Sequence, residues 1–378
     1  MKKRAVFLSS SEYSKYTYTK NHPLRSPRIT LLTEFMNAEG LLRSEDVVES
    51  RYATMDELLT FHELEYIHAL MEADRCKCVP KGAREKFNIG SYENPVSPAI
   101  FKGSSLAAGS SLQAVDLYIE GGVPFNPAGG MHHAFRNRAN GFCFINDPAL
   151  SIERLRNKGF KKILYLDLDA HHCDGVQDGY YESADVYVVS IHQSPEYSFP
   201  FATGFLKERG SGNGKGFNLN VPLPQGVNDT EYLYVVEKVV DYVRDVFEPD
   251  VYILQLGCDT LKMDPLSRLA LSNRGFLEAF RIIREALGEG IYLGGGGYNP
   301  PVVVRAWALI WCEIAQFKIP HRIGSRGRSM LRRVEWNPFE DDEDLSNLYA
   351  FLLDPWNEGG VRAEIKSLVL KVKEAVYG

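Results

Sequence analysis

The chain has 378 residues, of which 44% are hydrophobic and 24% charged, with a formal net charge of −6. That length buries a large core, and the composition is that of a folded globular protein, not of a disordered or fibrous one. No basic block stands out, which argues against nucleic acid as a ligand.

The first ten residues, MKKRAVFLSS, carry basic groups but too short an apolar run for a signal peptide. Within them AVFLSS (5–10) reads as a buried strand. CKC at 76–78 resembles half of a metal clip. No second clip follows, so Cys76 and Cys78 are expected to be free thiols. With Cys143, Cys173, Cys258 and Cys312 they show no disulfide framework, which suits a reducing cytoplasm. KILYLDLD (162–169), DVYVVSIH (185–192), VYILQLG (251–257) and IYLGGGGY (291–298) are further strands. Their apolar character is continuous, not alternating, as in a parallel sheet covered on both faces. Segments of helical period lie between them, at 230–248 and 273–290. The late stretch VVVRAWALIWCEIAQF contains Arg305 and Glu313, so it reads as a buried helix, not a membrane span. WNPFEDDEDLSN (336–347) reads as a solvated loop. Repeated strand–helix alternation without a linker predicts one α/β domain over residues 1–378, with a central, mostly parallel β-sheet flanked by helices on both faces.

In such sheets ligands sit at the carboxyl ends of the strands. There the chain places YLDLDAHHCDGV (165–176), with Asp167, Asp169, His171, His172 and Asp174 beside a buried run. An extended backbone would put Asp167, Asp169 and His171 on one face. A carboxylate and an imidazole so placed reach one cation, and catalytic zinc uses three protein ligands. The competing reading, a charged strand end making caps and ion pairs, has to satisfy five titratable groups. Asp259, after the strand at 251–257, offers a third ligand; Asp264 lies further into the loop, and Cys258 should face the other way. Taken alone, Asp259 equally suits a helix N-cap. NPAGGMHHAF supplies His132 and His133, which serve as acid and base if carboxylates orient them. Tyr298, after four glycines, is either a packed turn residue or a phenol that donates to an oxyanion.

Together HPLRSPRI, NPAGGMHHAFRNRANGFCFIND, LDLDAHHCDGV, VVSIHQSPEYSFP, LGCDTL and GGGGY resemble the successive signatures of histone deacetylases and their bacterial relatives, the deacetylase-like amidohydrolases and acetoin-utilization proteins. The resemblance implies an arginase/deacetylase-like fold and a zinc-dependent hydrolase that removes acyl groups from acyl-lysine. By motif match it implies Asp169, His171 and Asp259 as zinc ligands, with Fe(II) an alternative metal. His132 and His133 match paired catalytic histidines backed by Asp167 and Asp174, and Tyr298 the oxyanion-stabilising tyrosine. Gly141, Phe142, Phe199 and Leu266 match the walls of a substrate tunnel, with Glu93 at the rim where nuclear relatives carry an aspartate. Asp167, Asp169, His171, Ser190 and Ile191 match a structural potassium site, and Arg28 an arginine in the cavity that passes acetate out.

Two departures stand out. Cys173 occupies a position that is usually glycine in animal relatives, and its thiol is expected to point away from the metal. Arginase-like enzymes carry D-x-D-x-x-D-P and bind two manganese ions, whereas CDTLKMDP has Leu261 at the middle position, which favours one metal. The expected partner is an acyl-lysine protein or peptide, handled by a cytoplasmic monomer. The alternatives are a deacetylase of small acylated amines such as acetylpolyamines, a long-chain deacylase, and a non-enzymatic acyl-lysine binding module.

Overall fold

A computed structural model describes residues 3–19, 22–24, 27–334 and 345–378. Most of the acidic segment expected as a loop (336–344) and two residues of the HPLRSPRI motif lie outside the described residues.

Eight strands form one sheet: β1 (Ala5–Ser9), β2 (Val47–Glu49), β3 (Val123–Asn126), β4 (Ile163–Asp167), β5 (Val186–Gln193), β6 (Asn218–Leu223), β7 (Val251–Gln255) and β8 (Ile291–Leu293). Their order is β2-β1-β3-β8-β7-β4-β5-β6, and every pairing is parallel. Five of these strands are legible as apolar runs. The other three are masked by their own residues: β2 is a short edge strand, β3 contains Pro124, and Asn218, Asn220 and Pro222 interrupt β6.

Both faces of the sheet are covered, and alternate residues feed two separate cores. In β4, Leu164 and Leu166 enter one core while Ile163 and Tyr165 enter the other. On the first face the helix Asp229–Phe247 begins with a capping box between Asn228 and Glu231, and buries Val235, Val236, Val239, Val240 and Val243. Each such side chain contributes roughly 1.5–3 kcal/mol relative to an exposed one. The expected buried helix is Pro300–Ala315, and its charged Arg305 is neutralised by an ion pair with Asp354. The helices Ser104–Ile119 and Asp147–Asn157 pack on the second face. No helix among the described residues is long and apolar enough to cross a membrane.

The expectation that Cys76 and Cys78 are free thiols is not met. The helix Leu64–Cys76 stops at Lys77, whose left-handed backbone (φ 54°) turns the chain back. Cys76 and Cys78 then lie 5.2 Å apart at Cα and are joined by a disulfide. Cys143, Cys173, Cys258 and Cys312 are free and buried.

Candidate active site

Four adjacent strands, β3, β8, β7 and β4, release their chains at the same carboxyl edge. The loop after β3 carries His132 and His133, that after β8 carries Tyr298, that after β7 carries Asp259, and that after β4 carries Asp169 and His171. Parallel pairing puts these ends side by side. Asp167 is in register with Gln255 on one side and Ser190 on the other.

The regular strand ends at Asp167, so strand alternation does not account for the position of Asp169 and His171. Instead each carboxylate accepts the amide two residues on. Asp167 Oδ1 takes Asp169 N at 2.9 Å, and Asp169 Oδ1 takes His171 N at 3.0 Å. This is how an aspartate side chain turns a loop. Asp259 Oδ1 then accepts Ala170 N at 2.8 Å, which ties the β7 loop to the β4 loop.

Asp169, His171 and Asp259 each offer a buried donor, all within 4.8 Å of one another. His171 Nδ1 lies 3.0 Å from Asp259 Oδ2 and 3.2 Å from Asp169 Oδ1. Burial opposes a proton on His171, yet Asp259 and Asp169 hold its pKa well above the ordinary value. A dry place that favours positive charge so strongly, lined by one nitrogen and two carboxylates, fits a divalent cation such as Zn(II) or Fe(II). Gln255 Nε2 and Gly296 N donate to Asp169 Oδ2 at 2.9 and 2.8 Å, fixing the face it turns to the cluster. Glycine is required at 296, because a Cβ there would collide with both carboxylates. Asp264 is not part of the cluster; it accepts Tyr298 N at 2.7 Å and Leu266 N at 2.9 Å. Cys258 faces the core, as does Leu261.

Beside the cluster His132 Nδ1 meets Asp167 Oδ2 at 2.8 Å, and His133 Nδ1 meets Asp174 Oδ1 at 2.7 Å. The two Nε2 atoms are 3.0 Å apart. Tyr165 hydroxyl also donates to Asp167, and Asn140 to Asp174. Burial lowers His132, but the Asp167 and Asp169 carboxylates outweigh it and raise its pKa to about 9. Burial together with the nearby charged histidines keeps His133 well below its ordinary value. Burial, reinforced by the acidic cluster, pushes the Tyr298 phenol up, so it stays protonated.

A cavity of about 230 Å³ descends to this cluster. It is lined by Glu93, Gly141, Phe142, Phe199 and Leu266, together with His133, His171 and Tyr298. Tyr197, Ser198 and Phe201 also line it and were not singled out in the sequence, although they flank Phe199 in the aromatic run EYSFPF. Gln255 was missed as well, because it sits inside an apolar strand with no local mark. A second cavity, lined by Tyr13, Tyr18, Arg28 and Met131 among others, shares Leu24 and Met131 with a small one that reaches His132 and His133. Arg28 donates to Gly297 O at 2.8 Å and stacks over Trp307. His172 turns away: it lies 3.1 Å from Thr203 Oγ1 and 3.0 Å from Gln177 Oε1. Cys173 is fully buried in the second core, and burial raises its thiol well above the ordinary value.

Residues 22–314 match the Histone deacetylase domain family. The chain is 36% identical to the acetoin utilization protein AcuC of Bacillus subtilis over 327 residues, 84% of each chain. It is 32% identical to histone deacetylase 8 of Xenopus tropicalis over 308 residues, 81% of this chain and 82% of that one. Among solved structures, an HDAC homolog from Aquifex aeolicus is 55% identical and superposes with a TM-score of 0.97, covering 98% of this chain and 100% of the other. An HDAC homolog complexed with SAHA matches with the same values. The expected arginase/deacetylase-like α/β fold is therefore the observed one, and the chain belongs to the histone deacetylase family of hydrolases.

Proposed function

We propose that this hydrolase removes acetyl or longer acyl groups from the ε-amine of acyl-lysine in proteins or peptides, working as a single catalytic domain over residues 1–378 and as a cytoplasmic monomer. One observation carries the reading: an aromatic-walled cavity ends on a buried Asp–His–Asp cluster flanked by two histidines, each backed by a carboxylate. When bound to Asp169, His171 and Asp259, Zn(II) or Fe(II) would supply Lewis acidity, polarising the amide carbonyl and lowering the pKa of water to about 7.

The chain's own groups do the rest. His133 stays neutral, and its Nδ1 is held by Asp174, so Nε2, which meets His132 Nε2 at 3.0 Å, is the ring nitrogen that takes the proton of the attacking water. His132, whose Nδ1 is held by Asp167 at 2.8 Å, gives a proton to the departing lysine amine. Tyr298 donates its phenolic hydrogen to the developing oxyanion. Phe142 and Phe199 sandwich the butyl stem of a neutral acyl-lysine, and a free ammonium is excluded by the cost of desolvating it. Gly141 lets the wall approach closely, Leu266 closes one side, and Glu93 grips the substrate backbone at the rim. Arg28 attracts the acetate product into the rear cavity. A potassium ion, held by Asp167, Asp169, His171, Ser190 and Ile191 largely through backbone carbonyls, would stiffen the ends of β4 and β5.

The test is acetate release from a panel of acyl-lysine peptides and acetylated polyamines, with metal content measured on the same sample. Release from the peptides supports the reading. Release from polyamines alone moves the substrate to small amines, and peptide binding without release makes the chain a binding module. Tyr298→Phe is expected to slow turnover by about 10²–10³. Turnover near that of the unaltered protein removes Tyr298 from the oxyanion role.

A further inference from the structure

Cys76 and Cys78 form a disulfide across one intervening residue, and residues 75–79 are all exposed. A bond closing so short a loop constrains little of the unfolded chain, so it is a poor staple. Exposed disulfides are the ones that exchange readily with thiols. The other four cysteines are buried, so solution thiols meet this pair first.

The pair is also wired to the cavity rim. Val79, the residue after Cys78, lies so close over Gly90 that a Cβ there would strike its methyl groups. Gly90, at φ 83°, donates its amide to Asn94 O at 2.8 Å and so closes the turn that carries Glu93. Glu93 Oε1 accepts Asn88 Nδ2 at 2.9 Å, its backbone carbonyl lies 3.2 Å from His22 Nε2, and the residue lines the cavity. Opening the disulfide frees Cys78, and with it Val79, from the end of the helix Leu64–Cys76.

We propose that Cys76 and Cys78 are a reversible redox site for low-molecular-weight thiols and disulfides, and that its state sets the order of the rim segment 79–94. The rim's effect on substrate, though not the redox site itself, rests on the active-site reading above. In the oxidising direction a Cys thiolate attacks a small disulfide RSSR, forms a mixed disulfide and expels RS⁻. The second Cys thiolate then attacks the protein sulfur of that mixed disulfide, forms Cys76–Cys78 and expels a second RS⁻. The two electrons pass from the protein dithiol to RSSR, and the two thiol protons end on the two RSH products. Reduction is the reverse, with two RSH.

The full chain, equilibrated at set ratios of reduced to oxidised glutathione and then alkylated without denaturant, should carry two alkyl groups on the 76–78 peptide at the reducing end and none at the oxidising end. Amide hydrogen exchange over 79–94 should be about fivefold or more faster in the reduced form, a coupling of ordinary size. The Cys76→Ser/Cys78→Ser variant should show the fast exchange at every ratio. KM for an acetyl-lysine peptide should shift with the redox state while the variant's stays constant. A pair that dithiothreitol leaves closed, or equal exchange in the two forms, overturns the proposal. If no acyl-lysine is turned over, the active-site reading fails, and labelling and exchange still decide this one.

Discussion

The chain contains two consecutive His-His pairs, at 132–133 and 171–172, and the structure treats their members differently. His132 and His133 are buried, and each has a carboxylate behind Nδ1 at 2.8 and 2.7 Å. His172 is as deeply buried, but it packs at a tilt against His192 and its ring nitrogens meet only neutral groups, Thr203 and Gln177. Burial alone drives an imidazole towards its neutral form, and His172 and His192 are both lowered in that way, the latter to about 4. Two carboxylates, Asp167 and Asp169, reverse this for His132, whereas His133, three ångströms away and backed by Asp174, stays low because burial and the charged His132 and His171 act on it together. The protonation state therefore tracks the whole set of charges around each imidazole, not its depth alone.

The largest test of that contrast is His133→Asn, expected to lower acetate release by about 10²–10⁴ with the fold retained. An equal loss in His172→Asn would break the comparison, and kcat/KM is the measurement. Next comes His62, another buried histidine with neutral partners: it lies 3.2 Å from Arg136 O and accepts Asn146 N at 2.9 Å. Burial lowers it from 6.5 to about 4. The unfolded chain then binds more protons than the folded one between those values, so stability falls as pH drops from about 6.5 to about 4. The loss from this group is on the order of 3 kcal/mol at its fullest. His62→Gln should flatten that slope in denaturant unfolding at several pH values; an unchanged slope would remove His62 as its source. Gln255→Ala, which removes one of the two donors to Asp169 Oδ2, should weaken metal binding by about 10–100-fold, read by competition with a chelator. The smallest effect on activity is at His172→Leu: kcat/KM within a few-fold, with about 0.5–1.5 kcal/mol of stability lost for each of its hydrogen bonds to Thr203 and Gln177, since Gln177 Oε1 keeps Asn218 and Asn220.

Much of this arrangement is legible in the residues. The apolar runs in KILYLDLD, VYILQLG and IYLGGGGY mark central strands, because a strand covered on both faces needs no polar side. The acids, histidines and tyrosine that follow those runs stand at the carboxyl edge. The resemblance to histone deacetylases adds the pairing of His132 with Asp167 and of His133 with Asp174, and the structure brings those groups together.

What the residues alone determined is which segments are buried and where charge interrupts them, since both follow from local transfer energies. What tertiary structure decided is which segments are neighbours. Nothing local in VYILQ distinguishes Gln255, yet the β4–β7 register sets it beside Asp167 and in reach of Asp169. The pleat that would align Asp169 and His171 ends at Asp167, and side-chain-to-amide bonds take over. Two cysteines that read as free are joined because one left-handed residue turns a helix end back on itself. Each of these depends on a contact whose energy exists only once distant or turning backbone has been brought into place.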